Sequence, residues 1–208
     1  ILSGRTTDDA RRIIGLDGLT YVGNHGGQWL RDGVESVLPA AQPYVARIHQ
    51  IAENALVHFA EYTGIYVEDK GPTMAIHYRN VEDPTDAIAA IDDFLESQPA
   101  IFSLRRTDGK MVKEVKPPLN INKGTAIAAT VVEAGLRSVV MFGDDTTDVD
   151  AFRAISMMRA AGAIDGLSIG VLSAGTPDEV LDSVDYTVDD TDEVEQLLAR
   201  LADQDIRP

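Results

Sequence analysis

Cysteine is absent from the 208 residues, which excludes disulfides and any thiolate metal site. A metal, if there is one, must be held by oxygen or imidazole. A chain without cysteine also suits a reducing compartment, and a cytoplasmic location is the expectation. Long apolar runs are missing too: none approaches the ~20 residues of a membrane helix, and no secretory signal pattern opens the chain. Positive charge is scarce, with 18 basic residues against 34 acidic ones and a net charge of −16. Such a surface repels nucleic acid, and no basic stripe offsets it. A small phosphorylated substrate is still allowed, provided a metal ion or a few focused cations receive it. Internal repeats and low-complexity runs are lacking as well. What remains is an ordinary globular composition, 44% apolar and 25% charged, in a chain long enough for a substantial core.

The chain reads as three stretches. It opens Ile1-Leu2-Ser3-Gly4-Arg5 without a methionine, as the last rung of a buried strand whose beginning is absent, so a fragment is expected. Thr6 to Ile14 follows as a helix, then an apolar strand from Leu19 to Gly23. The second stretch, residues 38–115, has a different rhythm. It has a helix from about Pro39 to Tyr62, strands Ile65–Glu68 and Met74–Tyr78, a helix from Asp83-Pro84 to Glu96, and strands Ile101–Arg105 and Met111–Val115 about Thr107 to Lys110. That pattern describes helices on one face of an antiparallel sheet. The third stretch alternates: helix Lys123–Ala134, strand Ser138–Phe142, a helix from about Val149, strand Leu167–Leu172, a helix from Pro177, strand Tyr186–Val188 and a helix from Asp192. Short apolar strands between helices indicate a parallel sheet covered on both faces. The fold expected is therefore α/β: a doubly wound, Rossmann-like core from residues 1–37 and 116–208, with 38–115 inserted as an α+β domain.

Three places along the chain carry candidate chemistry. Val139 to Phe142 bury a strand, and Gly143-Asp144-Asp145-Thr146-Thr147-Asp148 emerges at its C-terminal end, where open α/β sheets bind ligands. Asp144 and Asp145 offer hard oxygens suited to Mg²⁺. The plainer reading makes Thr147 or Asp148 a helix cap and the acids a favourable first turn. At Asn122-Lys123-Gly124 a lysine opposes a helix dipole, which makes sense where a phosphate or carboxylate cluster lies close by. Ser3-Gly4-Arg5 also follows a strand end and offers a hydroxyl and amides. The expectation is that the lysine and the paired aspartates converge on one rim.

Ser3, Lys123 and Gly143-Asp144-Asp145, at three strand ends in that order, resemble three of the motifs of the haloacid-dehalogenase phosphatase superfamily. Gly18 to Gly26, Glu68-Asp69-Lys70-Gly71, Ala75 to Arg79, Glu114-Val115-Lys116-Pro117, Asn122-Lys123-Gly124 and Gly143 to Asp148 narrow the resemblance to the trehalose-6-phosphate phosphatase family. The resemblance implies Mg²⁺-dependent hydrolysis of trehalose 6-phosphate through an aspartyl-phosphate, the last step of trehalose biosynthesis, with the inserted domain as a cap. It implies Ser3 as a phosphate donor, Lys123 as the orienting cation, Asp144 as a metal ligand and Asp145 as a nearby acid, coordinating or one shell out. Glu68, Lys70 and Glu114 become sugar-hydroxyl contacts, and Arg5, Asn24 and His25 line the entrance. On their own terms Glu68 and Lys70 read as solvated hairpin charges, His25 as a loop histidine, and Trp29 and Phe59 as core.

One departure stands out. No Asp-x-Asp-Gly-Thr string, the family's nucleophile motif, occurs among the 208 residues. The strand–helix unit carrying it is expected upstream of Ile1, and these residues alone are expected to be inactive. Two alternatives stay open: a phosphatase for a different sugar phosphate, and an inactive phosphatase-like domain with a regulatory or assembly role.

Overall fold

The computed structural model describes residues 1–203, which divide into two compact units, Ile1–Asn120 and a second beginning at Ile121. In the first unit, helix α1 (Thr7–Ile14) is capped by the Thr6 hydroxyl and closed by Gly15 in the left-handed region. Strands β1 (Tyr21–Gly23), β2 (Gln28–Arg31) and β3 (Val34–Val37) form an antiparallel sheet in that order. The strand expected at Leu19–Gly23 is thus shorter and pairs antiparallel with β2; its parallel partner is Leu2, through a single bridge to Val22. Asp32 and Gly33, both at positive φ, make the two-residue turn between β2 and β3.

A four-stranded antiparallel sheet follows, in the order β4 (Tyr66–Asp69), β5 (Met74–His77), β7 (Val112–Lys116), β6 (Arg105–Gly109). Helix α2 (Gln42–His58) buries Ile48, Ile51, Ala52 and Ala55, and α3 (Pro84–Glu96) buries Ala87, Ile91, Phe94 and Leu95, each at helical spacing. Both stripes pack with Val67, Met74, Ile76 and Val115 into one core, giving the expected helices on one sheet face. The α3 start is also as read, with Asp83 accepting the Thr85 amide at 2.8 Å and Pro84 at the first helical position. The strand expected at Ile101–Arg105 begins only at its last residue, Arg105. Residues 99–103 form a 3₁₀ turn opening at Pro99, with Ile101 buried in the core, and the β6–β7 turn moves to Lys110-Met111. This register pairs Val115 with Met74 on the core side and Glu114 with Ala75 on the other.

In the second unit, α4 (Lys123–Ala134), β8 (Ser138–Gly143), α5 (Thr146–Ala160), β9 (Asp165–Val171), α6 (Asp178–Leu181), β10 (Tyr186–Val188) and α7 (Thr191–Asp203) alternate, and the strands pair in parallel in the order β10-β9-β8. The fold is α/β with a parallel sheet, as expected. The division between units falls after Asn120, so residues 1–37 group with 38–120 and not with the parallel sheet; their assignment to a common core with 116–208, and that of 38–115 to a cap, are proposals. No helix among the described residues is long and apolar enough to cross a membrane.

Candidate functional site

Lys123 occupies the first position of α4, where the helix dipole disfavours a cation. Asn122 caps the helix by accepting the Thr125 amide at 2.8 Å. Asp148 makes the lysine tolerable: Lys123 Nζ lies 2.6 Å from Asp148 Oδ1, with the two side chains only 10% and 5% exposed. Asp148 is the third residue of α5, where a carboxylate is favoured, and its second oxygen, Oδ2, accepts the amides of Asp144 at 3.3 Å and Asp145 at 3.2 Å. One buried carboxylate therefore grips a cation from α4 and the turn leaving β8.

Two glycines permit this. A Cβ on Gly124 would lie 2.4 Å from the Asp150 carbonyl oxygen, so only glycine lets α4 approach α5 here. A Cβ on Gly143 would lie 2.5 Å from Asp148 Cγ, in the space the carboxylate needs. The helix cap is Asp145, not Thr147 or Asp148, and α5 starts at Thr146, three residues earlier than read.

Asp144 and Asp145 are exposed at the C-terminal end of β8. Asp145 Oδ1 accepts the Thr146 hydroxyl at 2.9 Å; the Asp144 carboxylate makes no hydrogen bond or ion pair among the described residues. Adjacent hard oxygens of this kind suit Mg²⁺, which shares its sphere between a few carboxylates, waters and substrate phosphate. No group of three or more His, Cys, Asp or Glu among the described residues is arranged to hold a metal. The pair thus fits part of a ligand set that other oxygens complete, not a protein cage.

The remaining candidates lie in the first unit. Ser3 donates its amide to Val22 at 2.8 Å and accepts the His25 amide at 3.0 Å, while its hydroxyl accepts the Arg5 amide at 3.1 Å. The Arg5 carbonyl accepts the Asn24 amide at 2.8 Å, so Ser3, Arg5, Asn24 and His25 form one backbone-linked corner at the end of β1. Asn24 and His25 both adopt positive φ, and the His25 ring lies against Gly4, where a Cβ would come within 2.6 Å. The Asn24 side chain is buried and committed: its Nδ2 donates to Gln28 Oε1 at 3.1 Å and to the Lys70 carbonyl at 3.0 Å, and its Oδ1 accepts the Thr73 hydroxyl at 3.2 Å. It ties the corner to the Lys70 turn. Trp29 and Phe59 are core, as read; the Trp29 indole donates to the Gly26 carbonyl.

Glu68, Ala75, Glu114 and Thr107 lie in one cross-strand row. Because side chains alternate, this row faces away from the core that α2 and α3 cover. Glu68 Oε2 lies 3.5 Å from Lys70 Nζ and 2.9 Å from His77 Nε2. Glu114 Oε2 accepts Lys116 Nζ and the Thr107 hydroxyl, each at 3.3 Å. Burial works to raise the Glu114 pKa, but Lys116, then Lys70 and His25, outweigh it and hold the carboxyl below its ordinary value. Glu68, Lys70 and Glu114 thus meet on the open sheet face, joined by His77, Thr107 and Lys116.

Those three residues and Asp148 were not assigned from sequence. Lys116 was legible two residues beyond Glu114 on the same strand face, and Asp148 was legible in the Asp145-x-x-Asp148 spacing of a capping box.

The trehalose-phosphatase family pattern matches residues 1–176. A probable trehalose-phosphate phosphatase D of Arabidopsis thaliana is 26% identical over 98% of this chain. The chain spans 56% of that relative's length, little more than half. Among solved structures, a trehalose-6-phosphate phosphatase related protein superposes with a TM-score of 0.73 at 22% identity, covering 97% of this chain and 79% of that one. A haloacid dehalogenase-like hydrolase of Bacteroides thetaiotaomicron does so at 0.60 and 13% identity, covering 96% and 85%.

Proposed function

The chain belongs to the trehalose-phosphatase family, and on that premise we propose that the protein is a haloacid-dehalogenase-type enzyme that hydrolyses trehalose 6-phosphate to trehalose and phosphate. The observation that carries this reading is the buried Lys123–Asp148 pair, whose carboxylate also holds the amides of Asp144 and Asp145. A purely structural pair would be expensive to bury; here it fixes a cation and presents two exposed carboxylates at a strand end.

In the proposed reaction an aspartate carboxylate attacks phosphorus, the bond from phosphorus to the sugar oxygen breaks, and that oxygen takes a proton from a second acid. Water then cleaves the aspartyl-phosphate. The attacking aspartate is that of the Asp-x-Asp-Gly-Thr motif, which does not occur among these 208 residues. Lys123 is assigned to the negative phosphoryl oxygens, and Ser3, by its motif alone, to hydrogen bonding of phosphate. Mg²⁺, held in part by Asp144 with Asp145 beside it, would supply charge neutralisation at the phosphate. Glu68, Lys70 and Glu114 bind sugar hydroxyls, and Arg5 and His25 border the entrance; Asn24 serves there as a tether.

A panel of sugar phosphates, assayed for phosphate release with the full-length protein that contains this chain, tests the reading. Trehalose 6-phosphate is expected to give the highest kcat/KM. Preference for a monosaccharide phosphate would move the assignment to another substrate.

A further inference from the structure

The turn that carries Lys70 is held from several sides. The Lys70 amide donates to the Thr73 carbonyl at 2.9 Å, and the Lys70 carbonyl accepts Asn24 Nδ2 at 3.0 Å. Asp69 Oδ1 accepts the Gly71 amide at 2.8 Å, closing the turn through a side chain. The other Asp69 oxygen, Oδ2, is taken by a residue distant in sequence: His49 of α2, whose Nδ1 lies 2.5 Å away. His49 Nε2 in turn lies 3.4 Å from Glu53 Oε1, one helical turn further along α2.

We propose that His49 is a positioning residue for the sugar-binding face: by bonding Asp69 it fixes the turn that sets Lys70 beside Glu68. The proposal rests on the reading of Lys70 as a sugar contact, but its structural half is testable without it. Asp69 points to the helix side of β4 and Glu68 to the open side, so His49 acts on the open face only through the backbone of residues 69–71.

The geometry also sets the protonation state. Both ring nitrogens face carboxylates, and a carboxylate only accepts. A neutral imidazole has one N–H and can satisfy one of them, whereas the imidazolium donates to both. The charged groups set against the ring are Asp69 from β4 and Glu53 from α2; the bond to Asp69, then the charges of Asp69 and Glu53, raise the His49 pKa above its ordinary 6.5, with slight opposition from desolvation. A group with a raised folded pKa contributes fully below the unfolded value and loses that contribution as pH rises through the folded one. The brace is therefore tight at 6.5 and below, and loosens as the pH climbs above that value.

The test combines amide hydrogen exchange at Lys70 and Gly71 with steady-state kinetics on the full-length protein, for wild type, His49→Ala and His49→Gln, across the histidine range. In wild type, protection of the Gly71 amide is expected to fall as His49 titrates. His49→Ala should show about fivefold less protection at low pH, the loss of roughly one hydrogen bond, and the gap should narrow at high pH, where the neutral ring keeps a single N–H and no charge. His49→Gln donates without titrating, so its protection should be independent of the ring's pH range. KM for trehalose 6-phosphate should rise about fivefold in His49→Ala with kcat unchanged. Unchanged protection in His49→Ala, or protection blind to pH in wild type, would overturn the brace. Altered protection with an unaltered KM would overturn its role in binding. If wild type turns over no sugar phosphate at all, the proposed function fails, while the exchange data still decide the brace.

Discussion

Asp148 shows how one side chain serves two structural ends. Its carboxylate is almost fully buried beside Lys123, and each partner is tolerable only because the other is present. Asp148→Ala would leave the lysine charge and two turn amides without their acceptor, and should cost about 3–5 kcal/mol in urea unfolding. Asp144 is the contrast. Its carboxylate is exposed and makes no hydrogen bond or ion pair among the described residues, so Asp144→Ala should shift stability by less than about 0.5 kcal/mol. Glu114 gives a pH prediction. Its folded pKa lies below the ordinary 4.5, so its contribution is present above 4.5 and is lost as pH falls through the lower folded value. Glu114→Gln should be less stable than wild type at neutral pH by about 0.5 kcal/mol, the scale of a partly screened pair, and the difference should vanish in strong acid. Thermal melts at both ends of that range check it.

Among the elements, the close approach of α4 to α5 is set by Gly124. Gly124→Ala places a methyl group 2.4 Å from the Asp150 carbonyl oxygen, so the helices must separate or the backbone must shift. The expected cost is about 1–3 kcal/mol by denaturant unfolding, with a retained but loosened Lys123–Asp148 pair. The same scale shows what the letters disclose. Helix α3 was legible because Asp83-Pro84 is a strong local start and its apolar residues repeat at helical spacing. The parallel strands β8, β9 and β10 were legible as short apolar runs between helices. The β2–β3 hairpin is hidden in the sequence although Asp32-Gly33 is a sound turn signal, because Glu35 and Ser36 break the apolar pattern and the strand is largely exposed. Ile101 reads as a strand residue because a buried isoleucine in a 3₁₀ turn looks the same locally. At the candidate site, the motif strings point to Lys123 and the aspartate pair, but not to the residue that joins them in the structure: Asp148 reads as a helix cap, and its bond to Lys123 spans 25 positions.

For the whole molecule, the net charge of −16 makes the placement of cations the informative quantity. Lys123 is buried against Asp148, and Lys70 and Lys116 stand with Glu68 and Glu114 on an open sheet face; local order of this kind is what the proposed anionic substrate requires of an acidic protein. The central claim is that Asp144 and Lys123 serve phosphoryl transfer. Its most direct measurement is phosphate release from trehalose 6-phosphate by the full-length protein in Mg²⁺, comparing wild type with Asp144→Ala at matched thermal stability. Wild type is expected to release phosphate robustly and the variant to lose at least about 10²-fold in kcat, the scale of removing one electrostatic contact to the transition state. An Asp144→Ala protein that hydrolyses the substrate as fast as wild type would contradict that claim.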